Sequence, residues 1–207
     1  AREEHLGFDR LVADIAGDLA GAPEDAVAQA IDGALRRIGE GLHFDEAAIW
    51  RKSPDSRGFD PLFSWARRPG TPREIVPSAS IPWIASRFDD GRTAAFASLS
   101  DVHSPSDREW FKRNGTRSMA VVPFAANCAL VLGSSLRECE MTPPILNRLR
   151  LLGSVIGQAI ARRPAADALS PAVEEVRTLR ARLAGDQPAP RRELRAIKTS
   201  RVIVAES

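Results

Sequence analysis

Tyrosine is absent from this chain. Lysine occurs only at Lys52, Lys112 and Lys198, and there are two cysteines, three histidines and two methionines in 207 residues. Each scarcity removes a class of function. Cys128 and Cys139 are too few for the disulfide framework of a small secreted domain, and point instead to a cytoplasmic protein with reduced thiols. His5, His43 and His103 are far apart, and none stands at metal-ligand or catalytic-triad spacing. His103 has Asp101 and Asp107 near it, but a loop histidine of this kind is ordinarily just solvated. No Gly-x-x-x-x-Gly-Lys-Ser/Thr run occurs, so a phosphate-cradling loop is not expected. No apolar run approaches the length of a membrane span, and no signal peptide opens the sequence. With 29 basic residues against 27 acidic ones, the formal net charge of +2 is too balanced for a nucleic-acid-binding chain. The basic residues are dispersed and no helix-turn-helix pattern appears. These absences predict no catalytic residues, no metal, no membrane and no direct nucleic-acid contact, and they name no cofactor.

What is present is a globular mixture, 43% hydrophobic and 27% charged, sufficient for one ordinary domain with an extension. The most apolar stretch runs from Asn114 to Ser135. It contains two β-like runs, Arg117 to Phe124 and Cys128 to Ser134, each apolar on both faces. That pattern predicts central strands covered on both sides. Ala125-Ala126-Asn127 joins them as a short hairpin, with Asn127 suited to a left-handed turn position.

The rest of the chain arranges itself around that hairpin. Glu3 to Ala20 reads as an amphipathic helix carrying Leu6, Leu11, Ile15 and Leu19. Pro23 opens a second helix to about Gly41, with the stripe Val27, Ile31, Leu35, Ile38. Glu46 to Lys52 and Leu62 to Arg67 read as strands, separated by a polar turn at Ser53 to Gly58. Arg68 to Ser80, with four Pro or Gly, reads as an irregular loop. Short helices follow at Pro82 to Asp90 and Pro105 to Arg113, with a short strand at Thr93 to Ala97 and a loop at Ser98 to Ser104 between them. Pro143 opens a long helix to Arg163. Hairpin-joined strands exclude a purely parallel sheet. The predicted class is therefore α+β, an antiparallel or mixed sheet flanked by helices from both ends of the chain.

Beyond Pro164, Asp167 to Leu183 reads as a further helix whose Ala172, Val176, Leu179 and Leu183 alternate in steps of four and three. This is coiled-coil spacing and predicts a homodimer seam. Gly185 to Pro190 breaks the pattern, and Arg191 to Ser207 is charged and then apolar.

With this order, the segment from about Phe8 to Arg163 resembles a GAF domain. The residues that carry the resemblance are Ser106 to Phe111 and Asn114 to Phe124, similar to that family's short helix, Gly-x-Arg-Ser turn and Pro-containing strand. Ser80 to Trp83 and Phe96 to Asp101 are similar to the segments before it. The tail Arg201-Val202-Ile203-Val204-Ala205-Glu206-Ser207 resembles the lead into the ATPase domain of sigma-54-dependent transcription activators, with Ala205 where that family has Gly. The resemblances imply three parts: a sensory domain at 1–163, a signalling helix and linker at 164–190, and at 191–207 the approach to a downstream ATPase-like domain. They further imply a cytoplasmic regulator cut from a longer protein. The input module of a sensor histidine kinase and a dimerisation module without ligand remain alternatives.

The cyclic-nucleotide signature of some GAF domains is missing, and neither Cys suits bilin attachment. Cys128 falls in a core strand, which predicts an inert thiol rather than a redox sensor. Trp50, Phe63, Trp65, Trp83, Phe88, Phe96, Trp110 and Phe111 cluster around the segments that form the GAF ligand cavity. Aromatic residues in such numbers also serve simply as core. If a small-molecule effector binds, the resemblance implies a pocket lined by Phe63, Trp65, Trp83, Phe88, Phe111 and Met119. Arg117, Ser118 and Ser64 would supply polar groups.

Overall fold

Side chains that recur along one stripe or alternate along a strand fix the layers of this molecule. In the computed structural model, residues 2–53, 57–68, 75–124 and 127–162 are described, with the backbone alone for 2–6. The expected helix 167–183, its seam at Ala172, Val176, Leu179 and Leu183, and the tail 191–207 lie outside the described residues.

The chain runs α1 (Arg2–Gly21), α2 (Val27–Gly41), β1 (Glu46–Lys52), β2 (Gly58–Ala66), β3 (Val76–Pro77), α3 (Pro82–Asp89), β4 (Ala94–Phe96), α4 (Pro105–Arg113), β5 (Ser118–Phe124), β6 (Cys128–Ser134) and α5 (Pro143–Arg162). The six strands form one sheet in the order β3-β2-β1-β6-β5-β4, and every neighbouring pair is antiparallel. The expected central hairpin is β5–β6, and all of β6 is buried. Asn127, the turn residue just before the return strand, has φ +57°, the left-handed conformation its position requires.

One face of the sheet carries α1, α2 and α5. Their stripes, including Ile15, Leu19, Ile31, Leu35, Ile38, Leu149, Leu152 and Ile156, meet Ile49, Leu130 and Leu132 in one apolar core. Each fully buried Leu or Ile contributes on the order of 1.5–3 kcal/mol before entropy is counted. The other face carries α3 and α4, packed over Phe59, Phe96, Met119, Val121 and Val131.

Three helices stop in one way. After α3 and α4 the left-handed residue is glycine, Gly91 (φ +64°) and Gly115 (φ +71°). After α2 it is His43 (φ +60°), a costlier choice for a side chain with a Cβ. There Phe44 N–H donates to Gly39 O at 2.8 Å and His43 N–H to Glu40 O at 3.2 Å, which satisfies carbonyls the helix leaves open.

The region before α3 differs from expectation. β2 begins at Gly58, four residues earlier than its sequence suggested, and continues through Pro61. Trp50 pairs with Pro61 and Ile49 with Phe63, so Leu62 is an extra residue that bulges from the ladder. Val76–Pro77, expected as loop, adds a two-residue edge strand beside Gly58 and Phe59. Proline is tolerated there because an edge strand has one unpaired side. A Cβ on Gly58 would stand 2.6 Å from Val76 O, so glycine permits the close approach.

Candidate functional site

The α3/α4 face is where the sequence placed an effector. Its rings form two groups: Trp50 stacks on Phe59 at 5.7 Å and Phe59 meets Phe88 edge-on at 5.1 Å, while Phe96 meets Phe111 at 4.8 Å. Phe59, Phe111, Ile81, Ile84 and Val102 are wholly buried, and Trp83 and Trp110 are half-buried around them.

A single carboxylate holds the two helices together. Asp107 of α4, fully buried, accepts from Trp83 N–H and Ile84 N–H at 3.1 Å each and from Ser104 Oγ at 2.5 Å. These two amides belong to the first turn of α3, which no side chain of its own caps. Asp107 therefore caps α3 from another helix and sets a negative charge at its positive end. Arg108 donates to Val102 O through Nε at 3.0 Å and Nη2 at 2.6 Å, fastening the loop that leads into α4. Lys52 of β1 pairs with Asp89 at the far end of α3.

The structure brings Trp83, Phe88, Phe111 and Met119 to this face and does not bring Phe63 and Trp65. Those two pack on the opposite face against the helical core, with Trp65 lying on Gly39 of α2. The cause is the bulge at Leu62, because one inserted residue moves every later side chain to the other face. Phe59, before the bulge, occupies the place the sequence assigned to Phe63. Arg117 is exposed, and its backbone N–H donates to Ser134 O at 2.7 Å. Ser118 is buried, and its hydroxyl accepts from Cys139 N–H at 3.1 Å, pinning the loop after β6. Ser64 stands opposite Ala48 of β1.

Sequence reading missed a second polar centre, where β1, β2 and β6 meet. Asp45 Oδ2 accepts from Ser134 Oγ at 2.8 Å, Ser135 N–H at 3.1 Å and Leu136 N–H at 3.0 Å, and Arg67 Nε lies 3.7 Å from Oδ1. Burial alone would raise this carboxyl. The donors from Leu136, Ser134 and Ser135 and the Arg67 charge outweigh it and hold Asp45 below the usual carboxylate range. Glu46 beside it moves the other way, pushed up by burial and by the Asp45 charge. No local pattern marks this centre, since its partners stand about ninety residues apart.

Cavities open elsewhere on the described residues. One of about 200 Å³ lies between the end of α2, the loop after β6 and the first turn of α5, lined by Leu42, His43, Phe44, Arg137, Cys139 and Ile145 among others. Another, of about 130 Å³, lies over Asp45, Glu46, Arg67, Arg68 and Ser135. Neither is lined by the seven residues nominated from sequence.

Cys128 and Cys139 form no disulfide with each other. Burial pushes the Cys128 thiol up, only partly offset by Arg51, so the reactive thiolate is disfavoured. Among the described residues no group of three or more His, Cys, Asp or Glu is placed to hold a metal ion, and no helix is long and apolar enough to cross a membrane.

Against solved structures the architecture finds a consistent set of neighbours. The GAF domain region of a protein from Geobacter sulfurreducens PCA superposes with a TM-score of 0.55 at 18% identity, covering 65% of this chain and 92% of that one. The fold is that of GAF domains. The phycoerythrobilin-bound GAF domain of a cyanobacterial phytochrome gives 0.62 at 14% identity, covering 77% and 97% of the two chains. The free methionine-R-sulfoxide reductase of Neisseria meningitidis, solved with its substrate, gives 0.58 at 11% identity over 77% and 91%. No protein-family model matches the sequence, and no curated protein does. At these identities the GAF likeness establishes architecture, and function has to be argued from the chain's own residues.

Proposed function

We propose that this chain is the sensory, regulatory GAF part of a cytoplasmic transcription regulator. It takes a small effector on the α3/α4 side of its sheet and passes the change to a paired helix after α5. The observation that carries this reading is the arrangement of the terminal helices. α1 and α5 lie side by side in the same direction, registered at both ends. The Arg148 guanidinium sits over the Phe8 ring at 4.7 Å, and Arg162 donates to the carbonyls of Leu19 and Ala20. β5 is the link between the two faces: Met119 and Val121 face α3 and α4, while Ala120, Val122 and Phe124 face the helical core. A movement of the α3/α4 layer is thereby felt at α5, from which the chain continues towards Ala172, Val176, Leu179 and Leu183. Trp83, Phe88, Phe111 and Met119 are the effector contacts in this reading. The tail Arg201 to Ser207 supports a sigma-54-type activator as the parent.

The burial of Phe59, Phe96 and Phe111 favours a second reading, in which the domain binds nothing and only pairs chains, because an effector would have to displace buried rings. Sedimentation of the full chain tests the part both readings share. At tens of micromolar, where specific dimers persist, the wild type should be a dimer and a Val176→Asp, Leu183→Asp double mutant a monomer. A monomeric wild type, or a mutant that stays dimeric, removes the paired helix from both readings. A small metabolite that raises the melting temperature of the wild-type dimer then selects the sensory one.

A further inference from the structure

We propose that residues 135–142, which carry the chain from β6 to α5, form a strap that couples the two faces of the sheet. Loosening of the segment before α4 on one face is felt at the end of α2 on the other, and the reverse. The coupling belongs to the folded domain and stands whether or not an effector enters under α3 and α4.

Side chains hold this strap to the sheet. The N–H groups of Ser135 and Leu136 donate to Asp45 Oδ2 at 3.1 and 3.0 Å, that of Arg137 to Ser134 Oγ at 3.4 Å, and that of Cys139 to Ser118 Oγ at 3.1 Å. Asp45, Ser134 and Ser118 are buried, so the anchors are fixed, while residues 135–138 lie exposed outside them. The cavity of about 200 Å³ lies between the strap, the end of α2 and the first turn of α5. The strap therefore has room to shift, which a close-packed segment lacks.

Two consecutive side chains of the strap reach opposite faces. Arg137 Nη2 donates to His43 O at 2.7 Å. His43 is the left-handed residue that ends α2, a conformation unfavourable for a residue with a Cβ unless its surroundings hold it. Phe44 beside it packs in the helical core. On the other side, Ser98 Oγ donates to Glu138 Oε1 at 2.7 Å. The same Ser98 oxygen caps the single turn Leu99–Asp101, and Ser98 N–H donates to Asp101 Oδ2 at 3.0 Å. That turn leads to Val102, wholly buried, whose carbonyl takes both Arg108 bonds, and to Ser104, which meets Asp107, the cap of α3. A chain of hydrogen bonds and short backbone links thus runs from the end of α2, through Arg137 and Glu138, to the first turn of α3. Ordering entropy makes the two ties cooperative: with one made, the strap is already placed for the other.

Native-state hydrogen exchange of the full chain tests this, in the wild type, Arg137→Met and Glu138→Ala. Both residues are exposed, so neither variant removes core packing. Close to each cut, exchange should rise about fivefold, as for the loss of one hydrogen bond. The near amides are Phe44 N–H for Arg137→Met, and Asp101 and Val102 N–H for Glu138→Ala, each hydrogen-bonded in the wild type. The deciding amides are the far ones. Arg137→Met should also raise exchange at Asp101 and Val102, and Glu138→Ala at Phe44, each by about twofold or more. Both directions are required because coupling between sites is reciprocal. The amides of β6, at the centre of the sheet, should stay as they are. Far-side exchange unchanged in both variants, or a far-side response in one variant alone, would overturn the coupling. An equal rise throughout β6 would overturn it too, by showing that the variants loosen the whole domain. No effector enters this experiment, so its outcome and that of the sensory reading are separate.

Discussion

Phe124 of β5 lies in a notch on α5 made by Gly157, where a Cβ would stand 2.8 Å from the Phe124 ring, and by Gly153 one turn earlier, at 3.1 Å. The notch lets the strand end and the helix approach more closely than any other residue at those positions permits. It is also where the face that carries β5 touches the helix leading out of the domain.

This contact predicts opposite signs for two chemically identical changes. Gly157→Ala gains about 1 kcal/mol of helix propensity but overpacks a buried ring, a cost of about 1–3 kcal/mol. A net loss on the order of 1 kcal/mol is expected. Gly17→Ala, on the exposed side of α1 with nothing within 4 Å of its added Cβ, should instead stabilise by about 0.5–1 kcal/mol. Urea midpoints of the two variants decide it. If both move upwards together, the Phe124 notch is not tight.

Asp107 gives a second prediction. Asp107→Ala leaves Trp83 N–H and Ile84 N–H without the acceptor they share, at the start of a helix with no other cap. Losing the cap and exposing no compensating group should cost about 2–4 kcal/mol. Asp107→Asn keeps one acceptor oxygen and should cost about half as much. Hydrogen exchange locates the effect: the amides of α3 should lose protection before those of α2 or α5. Uniform loss across the domain would mean that Asp107 acts on the whole core rather than on α3.

These two relationships mark the limit of what the sequence shows. The stripes of α2 and α5, the Pro-opened α3 and α4, and the β5–β6 hairpin are legible because the periodicity of each is local and strong. Asp107 was within reach too, since Ser104-Pro105-Ser106-Asp107 has the spacing of a helix N-cap, but its service to α3 rather than α4 depends on tertiary packing. The side of the sheet taken by Phe63 and Trp65 was not legible. Their alternation is correct, but the single residue inserted at Leu62 reverses the face, and Pro61 is its faint trace. β3, two residues long with a proline, carries no periodicity at all. Asp45 and Ser134 meet only because β1 pairs with β6.

Asp45 and Glu46 make the last prediction, because neighbours with opposite shifts must pull stability in opposite directions with pH. The folded-state pKa of Asp45 is depressed, so the unfolded chain binds its proton more readily. The stability it contributes is fully present above the unfolded value, about 3.9, and is lost as pH falls through the lower folded value. Glu46 is raised, so the folded state holds its proton more readily and stability declines as pH rises from the unfolded value, about 4.3, through the folded one. Asp45→Asn should therefore destabilise at neutral pH, and its deficit should shrink in strong acid. Glu46→Gln should be neutral to stabilising at neutral pH, with its advantage vanishing by about pH 4. The check is chemical denaturation of wild type and both variants from neutral pH into acid. If Glu46→Gln destabilises at neutral pH, burial and the Asp45 charge do not disfavour the Glu46 carboxylate in the folded protein. If Asp45→Asn costs nothing there, the four contacts around Asp45 do not hold the strand ends together.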